Sequence, residues 1–290
     1  MVHEPEDLDP EERSFLADLG ERHGLWDGET PARLLARGEE NVTFYVGDVV
    51  VRRSDDVEAV AREVALLRAL ADASPVPTPA PLLHEADLGV LAYRRLEGTP
   101  LLTAGCPPDP SVRDGLVQVL AALRRVVPGV ALTVDDYPNA EWHGEALEAF
   151  ESVRDTLGPE RADAVERFLG QAPPPDAPAD TPQHNDLGVE HLLVDGEGRL
   201  TGVIDWTDAA LAPPARDAGA LLRDLGEDVA LAVWHDLDGR PSDDDVARVR
   251  FHARCKWLED VAFALEEPRG RAAYLDNAWR CFAHTFAVRD

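Results

Sequence analysis

The stretch His184–Asp208, HNDLGVEHLLVDGEGRLTGVIDWTD, decides how the rest of the chain is read. A polar loop, HNDLGVE, runs into an apolar segment, His191 to Val194, and then into Asp195-Gly196-Glu197-Gly198. A second apolar segment, Leu200 to Ile204, breaks at Asp205-Trp206-Thr207-Asp208. Two β-rich runs around a Gly-rich turn spell a hairpin. Asp186 lies before its first strand, His191 at the start of that strand and Asp205 at the end of the second, so the three can converge at one end. Two carboxylates beside an imidazole suit a cation and a proton acceptor.

Taken singly, aspartates that flank strands are most often turn formers or helix caps. Asp195 is set aside on that ground, since its turn needs such a residue. The combination H-x-D-x(4)-H-L-L-V-D with V-I-D-W is a different matter. It resembles the catalytic core of the aminoglycoside and macrolide phosphotransferases, antibiotic kinases related in fold to protein kinases, whose pattern is H-G-D-x(4)-N/H-x-x-x-D followed by I-D-W/F. His at 191 and the run TGVIDWTDA bring it nearer the macrolide branch. The resemblance runs from about Gly38 to the end and is strongest from 184 to 217.

The resemblance implies an α+β, two-lobed, protein-kinase-like fold. An N-lobe of antiparallel sheet plus helix would span residues 1–97, and a mainly helical C-lobe carrying the catalytic hairpin would span 98–290. Asp186 would accept the proton of a substrate hydroxyl. Asp205 would hold Mg²⁺, with His191 as second donor, directly or through water; Mg²⁺ prefers oxygen, so an imidazole is its second choice. His184 would brace the loop, Asn185 stands where the pattern has Gly, and Asp217 would cap the next helix and tie the loop down. Asp208 could reach the substrate.

Composition narrows the classes. With 56 acidic against 28 basic residues the net charge is −28, which opposes nucleic acid and anionic membrane as partners and leans toward a cationic substrate. Lys256 is the sole lysine, which genome composition alone could explain. Cys106, Cys255 and Cys281 are scattered and odd in number, the usage of reduced thiols. The N-terminus is acidic without an apolar core, and no apolar run reaches membrane-spanning length, so a cytoplasmic protein is expected.

The N-terminal third reads as a helix over residues 8–24, a strand at Ala32 to Ala36, a loop holding Gly38, and a hairpin of residues 42–46 and 49–53 turned at Gly47-Asp48. Arg52 ends an apolar strand, and Glu63 sits among apolar residues of a helix, Val57 to Leu70. In the kinase template a strand cation grips nucleotide phosphates and a helix glutamate orients it. Arg can replace the usual Lys there because it stays charged and offers a fork of donors. The register leaves Arg53 as the alternative; with Arg52 gripping, Val50 faces the base, and with Arg53, Val51 does. Pro75 to Pro81 is a rigid connector, and a strand from Val90 to Leu96 ends at Gly98-Thr99-Pro100. That end resembles an interlobe hinge, with Tyr93, Arg94 and Leu96 against the nucleotide base through backbone groups, which leaves ATP and GTP equally open.

Helices follow at Ser111–Val126, Gly144–Leu157 and Glu160–Leu169, then a Pro-rich linker over 171–180. Further helices are read at Asp228–His235, from Asp243 to about Leu265, and at Arg271–Val288. Their aromatics, Trp234, Trp257, Tyr274, Trp279 and Phe282, suit a core or a pocket wall; Trp234 is carried as a substrate candidate. The expected protein is a Mg²⁺- and ATP- or GTP-dependent kinase of a hydroxyl on a small molecule, an antibiotic first, as monomer or homodimer. A metabolite kinase of the same fold or a catalytically inactive nucleotide-binding module are the alternatives.

Overall fold

A computed structural model describes residues 8–37 and 41–286. The Gly38 loop and the expected helix end at Val288 lie outside them.

The chain opens with α1 (Pro10–His23), which starts in a capping box: Asp9 accepts from the Glu12 N–H and Glu12 returns the bond. Strands β1 (Ala32–Arg37), β2 (Asn41–Val46) and β3 (Val49–Ser54) follow, then α2 (Val57–Ala73), β4 (Pro81–Glu85) and β5 (Val90–Arg94). They make one antiparallel sheet in the order β1-β2-β3-β5-β4. Gly47 turns β2 into β3 at φ 59°, left-handed backbone that glycine takes without strain.

Alternation divides this sheet. Phe44, Val46, Val49, Val51, Val90 and Ala92 face α1 and pack on Leu16 and Leu19. Leu91 faces the other way, into a core shared with α2. Arg53 stacks on Phe15 of α1, 5.2 Å from the ring centre, so Arg52 is left pointing to the face that α2 covers. The strand stops at Arg94, two residues earlier than its apolar pattern suggests, with one further bond to the residue before β3, from the Arg95 N–H to the Asp48 carbonyl at 2.8 Å.

The chain continues with β6 (Thr99–Pro100), α3 (Val112–Val126), β7 (Thr133–Val134), α4 (Asn139–Leu157), α5 (Pro159–Leu169) and β8 (Thr181–Gln183). After them come β9 (Leu192–Val194), β10 (Leu200–Val203), β11 (Ala210–Ala212), α6 (Ala215–Leu225), α7 (Glu227–Asp238), α8 (Asp243–Glu266) and α9 (Ala272–Thr285). The expected hairpin is β9–β10, extended by β6; β7, β11 and β8 form a small third sheet. One core runs from α2 through α3 and the hairpin to α6 and α7. A second joins α4, α5, α8 and α9, and α8 contributes to both through Val249 and Ala253 on one side and Trp257 and Val261 on the other. No helix among the described residues is long and apolar enough to cross a membrane.

Besides the core that α2 shares with α3, two bonds tie the connecting segments to β10. Thr201 Oγ1 donates to the Glu97 carbonyl at 2.7 Å, and the Val203 N–H donates to Pro77 of the proline-rich connector at 3.0 Å. Gly98, at φ 115°, passes so close that a Cβ would lie 2.3 Å from Thr201 Oγ1.

Two sequence expectations are corrected. Helix α4 begins at Asn139 rather than Gly144, because its first turn is capped from a distance: Asp176 in the Pro-rich linker accepts from the Asn139 N–H at 2.7 Å. Gly144 is an interior helix residue facing open space. Trp234 is not a pocket residue; α7 packs it, 8 % exposed, into the core shared with α3 and α6.

Candidate active site

The loop between β8 and β9 is shaped by its own residues. Asn185 and Asp205 are the side-chain-bearing residues with positive φ among those described, at 71° and 61°. Asn and Asp tolerate this region better than other such residues. A left-handed position explains why glycine suits 185 and why Asn replaces it without distortion. The Asn185 side chain then donates to Asp135 at 2.8 Å, and Asp135 is paired with buried Arg216.

Asp217 ties the loop down as expected: its carboxylate accepts the His184 and Asn185 N–H groups, each at 2.8 Å. It does not cap α6, whose N-cap, Pro214, has no side-chain bond. Burial pushes the Asp217 carboxyl up to about 6, although both N–H groups pull the other way. His184 is fully buried, and burial, then nearby His191, lowers its pKa to about 4, so it is neutral. Its Nε2 faces the Ile204 carbonyl at 3.0 Å and must be the protonated nitrogen, because a carbonyl only accepts. His184 thereby links the loop to the residue before Asp205.

The three residues named from the hairpin converge. The Ile204 N–H donates to the His191 carbonyl at 3.0 Å and closes the hairpin at this end. His191 Nδ1 lies 3.5 Å from Asp186 Oδ2, and His191 Nε2 lies 3.7 Å from Asp205 Oδ2. Trp206 anchors the turn beneath them by donating to Val203 at 3.1 Å. Asp195 stays in its turn, accepting from the Glu197 and Arg199 N–H groups.

Electrostatics separate the carboxylates. Burial opposes the charge of Asp186, but Lys256 first and His191 next hold its carboxyl well below the usual range. Burial likewise opposes Asp205, which His191 and Arg52 lower. Asp208, exposed two residues past Trp206, is shifted up by desolvation and by Asp186 and Asp205. Burial works against the His191 cation, and Asp186, Asp205 and Glu190 outweigh it to raise the pKa.

A divalent cation fits this donor set. His191 Nδ1 faces the Asp186 carbonyl at 2.9 Å, which assigns the proton to Nδ1 in the neutral ring and turns the Nε2 lone pair toward Asp205. His191 Nε2 and Asp205 Oδ2, 3.7 Å apart, would together hold such an ion, the carboxylate supplying the oxygen that Mg²⁺ prefers. Asp186, Glu190 and His191 form a second convergent set, within 4.8 Å of one another. His191 is common to both.

On the other lobe, Arg52 is the cation that reaches the site. Its guanidinium pairs with Glu63 of α2 and places Nη1 3.3 Å from Asp205 Oδ1. Val50 lies on the same side of β3, in register with Tyr93. Burial pushes the Tyr93 phenol up to about 12, with Asp205 adding to the shift against Arg52. The Arg94 side chain is exposed and pairs with Asp48, and Leu96 packs over Gly202 of β10.

Three features were not read from sequence. Lys256 of α8 places Nζ 3.5 Å from Asp186 Oδ1. Arg216 of α6 braces Asp135, and Arg223, bound to Asp224 and Asp260, stands 3.7 Å from Glu190. Apart from Asp224, the neighbour of Arg223, each partner lies far away in sequence; the sole signal was that Lys256 has no other lysine for company.

A family model described as the phosphotransferase enzyme family matches residues 31–274. Viomycin phosphotransferase of Streptomyces vinaceus is 39 % identical over 61 residues, 18 % of this chain and 21 % of its own length. The uncharacterised protein YcbJ of Bacillus subtilis is 53 % identical over 34 residues, 12 % of this chain and 11 % of its own. The chain thus matches about a fifth or less of the length of these relatives.

Solved structures align almost end to end. Macrolide 2'-phosphotransferase type I gives a TM-score of 0.61 at 23 % identity, covering 93 % of this chain and 98 % of that one. A macrolide 2'-phosphotransferase of Brachybacterium faecium gives 0.59 at 24 %, covering 96 % and 99 %. The GDP complex of aminoglycoside 2'-phosphotransferase-IIIa gives 0.63 at 19 %, covering 95 % and 99 %. The fold is therefore the kinase-like, two-lobed α+β fold that those enzymes share, and the family match extends over most of the sequence. On that match, the chain belongs to the phosphotransferase enzyme family.

Proposed function

We propose that this phosphotransferase transfers the terminal phosphoryl group of ATP or GTP to a hydroxyl of a small-molecule antibiotic, of macrolide, aminoglycoside or related class, and so inactivates it. The observation that carries the reading is the convergence of an ionised Asp186, the His191–Asp205 pair and the Arg52–Glu63 pair at one cleft. Phosphoryl transfer asks chiefly for positioning and charge neutralisation, and this set supplies both.

In this reading residues 1–97 hold the nucleotide and 98–290 the acceptor. Val50, Tyr93 and the backbone from Arg94 to Leu96 border the base; the Arg95 N–H already serves Asp48, so its neighbours remain for the base. Arg52, oriented by Glu63, binds phosphate oxygens. Asp205 and His191 would hold Mg²⁺, whose charge offsets that of the phosphates. Asp186 takes the proton of the acceptor hydroxyl as its oxygen forms a bond to phosphorus; the bond to the nucleoside diphosphate breaks, and that product leaves with the electron pair. Asp208 faces the acceptor. In this reading the enzyme works in the cytoplasm, where nucleoside triphosphate is supplied.

A cavity of about 260 Å³ between α4 and α8 is lined by Trp142, Glu145, Cys255, Glu259, Phe263 and Glu266; Asp186 and Asp208 are not among its walls, so it offers a flank for the acceptor rather than the point of reaction. Trp142 joins it to the cleft, because Lys256 Nζ lies 5.5 Å from its ring centre. The Trp142 indole N–H is buried with no partner among the described residues. Carboxylates beside an aromatic wall favour an amine-bearing acceptor. The same carboxylates and aromatic wall support a second reading, in which a compact amino alcohol of metabolism is the substrate.

The test is incubation with Mg²⁺ and ATP or GTP separately, against macrolides, aminoglycosides, cationic peptide antibiotics and simple amino alcohols. Gain of one phosphoryl mass, lost in Asp186→Ala, is expected. Nucleotide binding with no acceptor modified across the panel rejects it.

A further inference from the structure

Lys256 is the chain's one lysine, and α8 buries it to 6 % exposure with its ammonium beside the candidate base. Of the chain's 28 basic residues the other 27 are arginine. Two buried arginines nearby are held by short, multiple bonds: Arg223 by Asp224 at 2.8 and 3.0 Å and by Asp260 at 3.0 Å, and Arg216 by Asp135 and by the Tyr137 carbonyl at 2.8 Å. Lys256 differs. Its one hydrogen-bond acceptor among the described residues is Asp186 Oδ1, at 3.5 Å, with the Trp142 face 5.5 Å away.

The two oxygens of Asp186 are thereby flanked evenly, Oδ1 by Lys256 Nζ and Oδ2 by His191 Nδ1, both at 3.5 Å. A carboxylate held by long contacts on both sides is oriented and kept ionised while its lone pairs stay free for a hydroxyl proton. A guanidinium in the same place would engage both oxygens as a fork and use those lone pairs up. Stability does not explain the arrangement, since burying an ammonium against one long contact is less favourable than burying an apolar side chain of equal volume.

We propose that Lys256 is a positioning residue for phosphoryl transfer: from α8 of the C-lobe, its ammonium fixes Asp186 as the base toward the acceptor hydroxyl. The proposal rests on the kinase reading above. Lys256 keeps its proton throughout, and acts through Asp186 rather than on the nucleotide, which Arg52 serves from the other lobe.

Lys256→Met preserves the length of the stem and removes the charge. The expected result is a fall in kcat of about 100-fold, the scale of losing one preorganised charged donor, with KM for nucleotide unchanged and Tm unchanged or raised. Lys256→Ala should regain turnover saturably with methylammonium or ethylammonium, and not with tetramethylammonium. A kcat within threefold of the parent, a loss shared equally by nucleotide KM and Tm, or absence of ammonium rescue would each overturn the proposal. An acceptor-independent measurement separates it from the functional reading. Protein labelled with ¹⁵N-lysine carries a single side-chain ammonium resonance, which Asp186→Asn should displace. A resonance indifferent to Asp186→Asn rejects the contact and the proposal with it. A resonance that moves in a protein that phosphorylates nothing rejects the functional reading instead.

Discussion

Asp217→Asn tests whether the loop anchor is held at an electrostatic cost. The carboxyl is 2 % exposed and carries a pKa of about 6 in place of 3.8. At about 1.4 kcal/mol per unit, the difference amounts to about 3 kcal/mol favouring the protonated native state. Because the folded pKa is raised, this contribution is present in full below the unfolded value and is lost as pH rises through the folded one. Asparagine does not titrate. The stability difference between variant and parent should therefore move toward the variant by about 2 kcal/mol between pH 4.5 and 7.5, the share of the shift that falls in that window. Other titrating groups cancel in the difference. Urea unfolding followed by tryptophan fluorescence, in half-unit pH steps, reads it directly. Turnover should fall at every pH, since an amide can accept from just one of the His184 and Asn185 N–H groups. A difference curve flat across the window refutes the reasoning.

The Arg52–Glu63 pair should show the asymmetry of buried ions. Arg52→Met alone, stranding Glu63, is expected to cost about 3–5 kcal/mol in thermal or urea unfolding, while Arg52→Met with Glu63→Leu recovers most of it and nucleotide affinity is lost in both. Asn185→Gly keeps the left-handed backbone and gives up the bond to Asp135, a loss of about 1–3 kcal/mol; Asn185→Val, β-branched at φ 71°, should be clearly worse in the same assay. Gly98→Ala, with a Cβ forced to 2.3 Å from Thr201 Oγ1, should lower stability by more than Gly24→Ala, whose φ is 63° in open space and whose loss should be about 1–2 kcal/mol. Equal losses at the two glycines would contradict the close approach at Gly98.

The hairpin of the candidate site was legible because its information is local. Asp186, His191 and Asp205 meet through pairing within one short segment, and residue type and spacing suffice to place them. Arg52 was legible to within one residue. Choosing between Arg52 and Arg53 needs the knowledge that α1 covers the other face of the sheet, where Phe15 takes Arg53.

Lys256 was not legible. It lies 70 residues from Asp186 on a helix whose apolar residues serve two cores, so periodicity singles out no face. Asp135 reaches Asn185 across 50 residues by way of a two-residue strand, too short to leave a pattern. The start of α4 was hidden for the same kind of reason: its cap is Asp176, beyond the helix's own far end. Trp234 was ambiguous in principle, since an aromatic at helical spacing reads alike on a pocket wall and in a core.

The two bonds that join the lobes along β10 have a mechanical meaning. Glu97 is pinned at Thr201 and Pro77 at Val203, two residues apart on one strand and so about 7 Å along it. Two such pins fix both connecting segments to one strand, and the core that α2 shares with α3 and the hairpin fills the space beside them. Strand β10 ends one residue before Ile204 and two before Asp205. The register of that strand therefore acts as a caliper: whatever seats the first sheet on β10 also sets the 3.3 Å between Arg52 and Asp205.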